Sequence, residues 1–489
     1  MAHPIVIGTE TEFGISIRNQ PDFNSSLASG FVINAYRGER ARVQWLFEEE
    51  FPGRDARGFG FESGEPGEYE SGVVNIVLAN GARLYVDHAH PEYSSPECAN
   101  ARQAALYDTA GEVVMARAAE AAQQLVRENE VIGIYKNNTD GKGNSYGFHE
   151  NYLVPRSIAF GDIVSAVTTF FVTRQIFTGS GKVGSENRRP DTRFQITQRA
   201  DFFEEEVGLE TTLKRPIVNT RDEPHADPEK YRRLHVIIGD ANLSETQTFL
   251  KLGSTALLLQ ALDDGALPEN LELADPVESC WRVSRDVDLN LRLRMADGST
   301  VTALELQRQY WEWLSKYAES ETDEAEELLD VWAQVLEDLE HDALLTADRL
   351  DWVAKYQLFL GYRDRGVAWD DPKMRLLDLQ YHDVNPERSL YQKLLQRGSM
   401  QRLFSEDEVD RAVTQAPEDT RAWFRGQCVT KYFDALVAAN WDSLVFDTGE
   451  RLMRRVPMME PLRGSKAIVG DLVARSDTVA ELLAEIGGS

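Results

Sequence analysis

The chain of 489 residues is 42% hydrophobic and 27% charged, a composition that is typical of folded proteins and excludes collagen-like and disordered chains. Its formal net charge of −29 repels polyanions, so neither nucleic acid nor an anionic membrane surface is an expected partner. Its uncharged stretches are shorter than the roughly 20 apolar residues that span a bilayer, and its three scattered cysteines favour the reducing cytoplasm over a disulfide or zinc framework.

The first predicted element is a strand at residues 4–14, which are rich in β-branched side chains and bounded by proline and glycine. Residues two apart on a strand share a face, so Glu10 and Glu12 should point the same way, about 6.6 Å apart along the strand. Two neighbouring carboxylates repel each other unless a cation lies between them, and Mg²⁺ accepts such oxygen ligands. The alternative is that Glu12 only faces solvent on an edge strand.

Residues 41–51 predict a short helix. The glycine-rich and acidic residues 52–72 predict a loop long enough to have a function of its own. Two β-rich runs at 73–78 and 83–87 then flank Asn-Gly, which predicts a hairpin with a two-residue turn.

The second strand of this hairpin places a cation, a phenol and a carboxylate on one face, from Arg83, Tyr85 and Asp87. A carboxylate held in this way can act as a nucleophile or as a general base. The alternative is a solvated pair of Arg83 and Asp87 on an open strand face.

Four further candidate ligands follow within ten residues of this strand: His88, His90, Glu92 and Glu97. If the metal is Mg²⁺, its preference for oxygen favours Glu92 over the histidines. His-x-His would suit zinc, but no third nitrogen or sulfur ligand is close in the sequence.

Two polar clusters follow. In residues 136–152, backbone N–H groups and Lys136 could hold phosphate, with His149 or Glu150 near a metal, although a simple hairpin loop is the alternative. Later, Arg233 and His235 share a strand face suited to phosphate and metal contacts, unless they only join loop salt bridges.

The surrounding segment 188–233 contains ten basic residues and ten acids. Arg199 and Arg215 in this segment are the expected contacts for an acidic partner, because the net charge of the chain otherwise repels one. The alternative is an ordinary mixed surface.

The other elements define the class. Helices are expected at 101–127, 160–171, 244–262, 303–318, 322–340 and 348–360, and strands at 131–135, 150–154, 194–197 and 234–238. Strands and helices mix in the first half and helices dominate after about residue 303, which predicts an α+β fold. The pattern resets near residue 417, so we expect a main domain at 1–415 and a small C-terminal domain at 416–489.

These motifs, taken together and in order, resemble the family of Pup ligases and Pup deamidases/depupylases, which is related to glutamine synthetase and carboxylate–amine ligases. The motifs are Gly-Thr-Glu-Thr-Glu-Phe-Gly at 8–14, Asn-Gly-Ala-Arg-Leu-Tyr-Val-Asp at 80–87, His-Pro-Glu-Tyr at 90–93, Lys-Asn-Asn-Thr-Asp at 136–140, His-Glu-Asn-Tyr at 149–152 and the segment 219–233. The loop at 52–72 and the segments at 208–215 and 441–447 are more similar to the deamidase/depupylase branch.

The resemblance implies a glutamine-synthetase-like curved antiparallel sheet backed by helices, with a small C-terminal domain. It also implies ATP with Mg²⁺ as a cofactor that is not consumed in each turnover. The implied metal ligands are Glu10, Tyr85 and Glu92, with Glu12, His149 and His235 as additions. The implied nucleotide contacts are Arg83, Ser95 and Trp441, with Arg233 as an addition, and Asp87 is the implied catalytic acid.

The implied activity is hydrolysis of a side-chain amide at the C-terminal residue of Pup, the prokaryotic ubiquitin-like protein. It converts a terminal Gln to Glu and cleaves the isopeptide bond between Pup and a target lysine. The implied partners are Pup and pupylated proteins, with a functional link to the bacterial proteasome. The alternatives are a Pup–protein ligase that consumes ATP and a catalytically silent Pup-binding adaptor.

Overall fold

The computed structural model describes residues 5–20, 22–36, 43–46, 50, 53–58, 74–266, 271–318 and 322–487. The strands are β1 Ile7–Glu12, β2 Gly14–Arg18, β3 Gln44–Trp45, β4 Asn75–Val77, β5 Arg83–Asp87, β6 His90–Ser94, β7 Val131–Tyr135, β8 Phe148–Pro155, β9 Lys182–Val183, β10 Phe194–Gln195, β11 Phe203–Gly208, β12 Arg215–Asn219, β13 Tyr231–Val236, β14 Leu293–Arg294, β15 Thr300–Val301, β16 Leu436–Ala439, β17 Ser443–Phe446 and β18 Arg454–Pro457. The helices are α1 Ser25–Tyr36, α2 Ala101–Gln123, α3 Phe160–Thr178, α4 Glu245–Asp263, α5 Pro276–Arg285, α6 Ala303–Tyr317, α7 Asp323–His341, α8 Asp351–Arg363, α9 Pro372–Tyr381, α10 Leu390–Gln396, α11 Glu406–Thr414, α12 Arg421–Lys431, α13 Lys466–Arg475 and α14 Val479–Gly487.

The central element is a six-stranded sheet in the order β13-β8-β1-β6-β5-β4. Every neighbouring pair in it is antiparallel. Along β1, Ile7, Thr9 and Thr11 are buried, whereas Glu10 and Glu12 are only partly buried. This alternation is the two-residue period of a strand with one covered face. The polar residues of β1 therefore lie on the open face of the sheet.

Helices cover the other face of the sheet. The helix α2 contacts β1 and β6 of the sheet, and it also contacts β7, α1 and α4. Its N-cap residue is Asn100, whose side chain accepts a hydrogen bond from the backbone N–H of Gln103. This cap supplies an acceptor for a backbone N–H of the first turn that has no partner within the helix. The expected α+β class, an antiparallel sheet backed by helices, is confirmed. Among the described residues, no helix is long and apolar enough to cross a membrane.

The C-terminal residues build a second hydrophobic core around a four-stranded sheet in the order β18-β17-β16-β3. The strand β3 comes from the N-terminal half of the chain and pairs in parallel with β16, where Trp45 is opposite Ala439. The prediction of a helix at 41–51 is therefore wrong for the described residues 43–46, which contain the strand β3. The buried Trp45 side chain and its long-range strand pairing outweigh the local helix propensity. The domain boundary at 415/416 stays a prediction.

The expected hairpin at 73–87 is confirmed as β4 and β5, but its turn is longer than two residues. The backbone N–H of Gly81 donates to the carbonyl oxygen of Leu78 at 2.9 Å, so Ala79 and Asn80 occupy the central turn positions. Gly81 follows with a φ of 81°, which glycine adopts without strain. Of the loop expected at 52–72, residues 53–58 are described, and the remainder lies outside the described residues.

The turn of this hairpin packs closely against the C-terminal helix α12. A Cβ atom at Gly426 would lie within 3.0 Å of the carbonyl oxygen of Ala79. We expect Gly426→Ala to lower the free energy of unfolding by about 1–3 kcal/mol because backbone cannot yield as a flexible side chain can. Urea denaturation of both proteins measures this change.

A matched control is Gly361→Ala in α8, where an added Cβ meets no atom within 4 Å. Alanine is the better helix former by about 1 kcal/mol, so this variant should be as stable as the wild type or more stable. The close packing of turn and helix is refuted if Gly426→Ala behaves in the same way as the control.

Candidate active site

Two groups of potential metal ligands lie on the open face of the central sheet. Glu10, His149 and His235 form one group, and the other consists of Glu12, Asp87 and Glu92. Within each group, the nitrogen or oxygen atoms that could bind a metal lie within 4.8 Å of one another. The strand register explains this arrangement, because Glu10 pairs with His149 on β8 and Glu12 pairs with Glu92 on β6.

The first group is built around the carboxylate of Glu10. His149 Nδ1 lies 3.0 Å from one carboxylate oxygen, and Asn151 Nδ2 donates to the other at 3.1 Å. Arg233 Nη1 donates to this second oxygen at 3.4 Å. Burial raises the pKa of Glu10, but His149, His235 and Arg233 outweigh burial and hold the pKa well below its usual value. Glu10 is therefore ionised and offers carboxylate oxygens of the kind that bind a cation.

The second group is built around Glu92, of which only 2% is exposed. Tyr85 donates its hydroxyl proton to Glu92 Oε1 at 2.5 Å. Burial raises the pKa of Glu92 well above its usual value, and the nearby carboxylates of Asp87 and Glu12 raise it further. A bound divalent cation would relieve this repulsion. The ligand set of carboxylate and phenol oxygens, arranged on facing strands, suits Mg²⁺.

Asp87 is the accessible carboxylate of the site, at the C-terminal end of β5 with 41% of its side chain exposed. Burial raises its pKa, but His88, whose Nδ1 lies 3.0 Å from Asp87 Oδ2, outweighs burial, so the pKa lies below its ordinary value. The Asp87 carboxylate is thus ionised and open to solvent, as a general base or a nucleophile must be. His88 itself is 72% exposed and does not belong to either ligand group.

The guanidinium of Arg83 is held by stacking on aromatic rings. Its guanidinium lies 3.8 Å from the ring centroid of Tyr85 and 4.4 Å from that of Trp45, and its Nε donates to Asn75 Oδ1 at 2.8 Å. The ring of Trp45 in turn meets the ring of Trp441 edge-on at 5.0 Å. Arg83 therefore joins β5 to the aromatic residues of the C-terminal sheet.

A cavity opens beside β1. Its lining includes Glu10 together with three of the expected nucleotide contacts, Ser95, Arg233 and Trp441. The structure thus brings together residues that are more than 400 positions apart in the sequence. The fourth expected contact, Arg83, does not line the cavity; its guanidinium stacks on Trp45, whose ring meets that of the lining residue Trp441.

Sequence reasoning missed three features of this cavity. His225 lines it and has a φ of 49°, an uncommon conformation for a non-glycine residue that often marks functional sites. Arg421 also lines the cavity, and Arg425 lies behind it on the same helix. The spacing of four between these arginines predicts only that they share a helix face.

Glu97 is not a metal ligand in this arrangement, because Arg421 and Arg425 both bind its carboxylate. Burial raises the pKa of Glu97, but the two guanidinium groups outweigh burial and lower it to about 2.

Two other expectations are wrong. Lys136 does not cradle phosphate, because its fully buried Nζ donates to Asp108 Oδ2 at 2.7 Å and to Glu112 Oε1 at 2.6 Å. Glu150 is also buried and paired with Arg174 on the covered face of β8, away from the metal groups. The strand period of β8 sends Glu150 to the core, whereas Lys136 follows the end of β7 and is buried against two carboxylates of α2.

Arg199 and Arg215 are not surface contacts for an acidic partner, because both are buried. Arg199 donates to the carbonyl oxygen of Ile237, and Arg215 donates to that of Ser145 at 2.7 Å. Burial lowers the pKa of Arg199 to about 9, with a further decrease from the nearby charge of Arg215. Charge reversal at either position would disturb folding before it could report on binding.

The depressed pKa of Glu97 predicts a pH dependence of stability. Its contribution is fully present above pH 4.5, the value of the unfolded carboxyl, and it is lost as the pH falls toward about 2. We therefore expect Glu97→Gln to lower the free energy of unfolding by roughly 3 kcal/mol at pH 7. In urea denaturation, the difference in the free energy of unfolding between wild type and variant should stay constant down to about pH 5 and become smaller below it.

The control for this measurement is Glu327→Gln, which removes a partly exposed ion pair with Arg102. Exposed pairs contribute about 0–1 kcal/mol, so this variant should remain close to the wild type at every pH. A difference between wild type and Glu97→Gln that widens in acid would contradict the assignment of an ionised, arginine-bound Glu97.

Comparison with known proteins places this site in a family. A model of the family described as Pup-ligase protein matches residues 5–445. A depupylase of Acidothermus cellulolyticus is 51% identical, covering 99% of this chain and 99% of the relative. A Pup deamidase/depupylase of Mycolicibacterium smegmatis is 48% identical, covering 98% and 99%. A Pup–protein ligase of the same species is 38% identical, covering 82% and 90%.

Solved structures agree with this placement. The ligase PafA in complex with Pup superimposes with a TM-score of 0.81 at 31% identity, covering 99% of this chain and 95% of that chain. PafA in complex with ADP gives a TM-score of 0.74 at 34% identity, covering 85% and 95%. The expected fold is confirmed, as is the greater similarity to deamidases/depupylases than to ligases. The chain belongs to the Pup-ligase family.

Proposed function

We propose that the chain hydrolyses the side-chain amide at the C-terminal residue of Pup. It deamidates a terminal Gln to Glu and cleaves the isopeptide bond that joins Pup to a lysine of a pupylated protein. The observation that carries this proposal is the accessible, ionised Asp87 beside the acids Glu12 and Glu92, of which Glu92 is buried. Relatives that share 47–51% of their residues with this chain are named depupylase or Pup deamidase/depupylase, and a similar solved structure contains Pup.

Two routes use Asp87 at the same carbonyl carbon. In the first, an Asp87 oxygen attacks the carbonyl carbon, the amide nitrogen takes a proton from solvent, and the C–N bond breaks to release ammonia or the lysine amine. Water then cleaves the resulting anhydride to two carboxylates, one of them that of Asp87, and its two protons pass to solvent. In the second, Asp87 accepts a proton from a water molecule as that water attacks, and the proton passes to the leaving amine. Both routes consume one water and release one amine.

The residues fit a metal and a nucleotide at neighbouring positions. Glu10, Tyr85 and Glu92 would hold Mg²⁺ through oxygen atoms, with Glu12, His149 and His235 close enough to add ligands. The cavity residues Ser95, Arg233 and Trp441 would contact ATP, with Arg83 behind them. A bound Mg²⁺ would supply positive charge to stabilise the oxyanion that develops from the amide carbonyl. A similar solved structure, of PafA, is a complex with ADP.

The cellular setting follows from the same proposal. A protein that acts on Pup and pupylated proteins works where pupylation occurs, which places it in the cytoplasm with a functional link to the bacterial proteasome. The described cysteines, Cys98, Cys280 and Cys428, are all free and buried, as is typical of a reducing compartment.

Incubation with Pup that ends in Gln, with and without ATP and Mg²⁺, tests the proposal. The expected result is a mass change equal to conversion of one amide to an acid, dependent on nucleotide but without stoichiometric release of ADP. Conjugates and ADP formed from Pup that ends in Glu would indicate a ligase instead. Quantitative recovery of unchanged Pup would indicate an adaptor.

A further inference from the structure

The carboxylate of Glu97 is bound by two arginines of the C-terminal helix α12. Arg421 Nε donates to Glu97 Oε1 at 2.7 Å, and Arg425 binds both carboxylate oxygens, with its Nη1 at 3.3 Å from Oε1. Both guanidinium groups are buried, and Thr420 Oγ1 adds a hydrogen bond to the backbone oxygen of Glu97 at 2.6 Å. The helix is therefore fixed to the segment that follows β6.

Arg425 has two further partners at functionally important places. Its Nε donates to the carbonyl oxygen of Gly81 at 3.0 Å, and its Nη1 donates to that of Trp441 at 3.1 Å. The same guanidinium lies 5.0 Å from the ring centroid of Trp441, within the range of a cation–π contact. One buried side chain thus holds both the backbone and the ring region of Trp441.

Two partners of Arg425, Gly81 and Glu97, lie close in the sequence to an expected nucleotide contact. Gly81 precedes Arg83 by two residues, and Glu97 follows Ser95 by two residues. Arg421 holds a third connection, because its Nη1 donates to the carbonyl oxygen of Met458 at 2.7 Å. The strand with Arg83, the segment with Ser95 and the aromatic ring of Trp441 therefore all meet at the same pair of guanidinium groups.

We infer that Arg425, with Arg421 and through Glu97, is a positioning residue for the nucleotide cavity. The helix α12 does more than stabilise the C-terminal segment, because its arginines set the distance between the walls of the cavity. The inference rests on the proposed function in that the cavity binds ATP. A guanidinium is required because its planar fork donates to three partners at once, which a lysine ammonium cannot do in the same geometry.

Replacement of Arg425 by lysine tests this inference because the charge is kept and the fork is lost. We expect the Kd for ATP with Mg²⁺, measured by calorimetry, to rise at least tenfold, while the KM for Pup changes less than twofold. The matched control is Arg475→Lys, at an exposed ion pair with Glu485 in the C-terminal segment, which should leave both constants unchanged. Circular dichroism verifies that each variant is folded.

A second measurement separates positioning from general stabilisation. If Arg425 acts through Trp441, Arg425→Lys should weaken ATP binding much less in a Trp441→Ala background, since coupled positions are not additive. Should Arg425→Lys fail to fold, Glu97→Gln carries the same test, with an expected rise in the Kd for ATP of at least threefold.

The outcomes are distinguishable. A lower melting temperature of Arg425→Lys with an unchanged Kd for ATP would overturn the inference and leave the proposed function intact. Full additivity with Trp441→Ala would also overturn it. If the wild-type chain itself binds no ATP, the proposed nucleotide cofactor and this inference both fail.

Discussion

Asp87→Asn is expected to slow the deamidation of Pup ending in Gln by a factor on the order of 10²–10⁴ while Pup still binds. The substitution keeps the shape of the side chain but removes the negative charge that attacks the carbonyl carbon or accepts the proton. Asp87 is accessible at the end of β5 and is ionised, so it can react without a rearrangement of the site. Mass spectrometry of Pup under single-turnover conditions gives the rate, and fluorescence anisotropy of labelled Pup gives the affinity.

The control for this experiment is Asp410→Asn, which removes an exposed carboxylate paired with Arg117. This variant should deamidate Pup at the wild-type rate. If Asp87→Asn also retains a rate near that of the wild type, the reacting carboxylate is another member of the site. Loss of Pup binding by Asp87→Asn would instead assign Asp87 to substrate recognition.

The central part of the site could be predicted from the sequence because it depends on a local rule. The period of two along a strand put Glu10 and Glu12 on one face and Arg83, Tyr85 and Asp87 on another. The structure has the same alternation, with Leu84 and Val86 buried. Strand pairing then needed only to bring these faces together, so the grouping of ligands around β1 follows directly from the pattern.

The connections to the C-terminal segment could not be predicted in this way. Glu97 and Arg425 are 328 positions apart, and nothing in the neighbourhood of either residue indicates the other. Trp45 pairs with Ala439 through a strand of two residues, which is too short for any periodicity to be visible. Lys136 looked like a phosphate ligand because glycine and polar residues surround it, but burial between two helix carboxylates decided its role.

Lys136→Met is expected to lower the free energy of unfolding by about 3–5 kcal/mol, the cost of leaving a buried charge without its partner. The buried carboxyl groups left without their cation are those of Asp108 and Glu112. Burial raises the pKa of Glu112 to about 8, even though Lys136 opposes the rise. Thr11, which lies between Glu10 and Glu12 on β1, donates to Asp108 Oδ1 at 3.1 Å, so the network supports the strand that carries both acids.

The matched control for Lys136→Met is Arg117→Met on α2, the helix that carries Asp108 and Glu112, since Arg117 pairs with Asp410 where both side chains are exposed. Its free energy of unfolding should fall by only about 0–1 kcal/mol, which is the usual contribution of an exposed ion pair. Urea denaturation at pH 7 compares the two, and calorimetry with ATP and Mg²⁺ follows for any variant that remains folded. A stable Lys136→Met protein with greatly weakened ATP binding would contradict the structural role and restore Lys136 as a phosphate ligand.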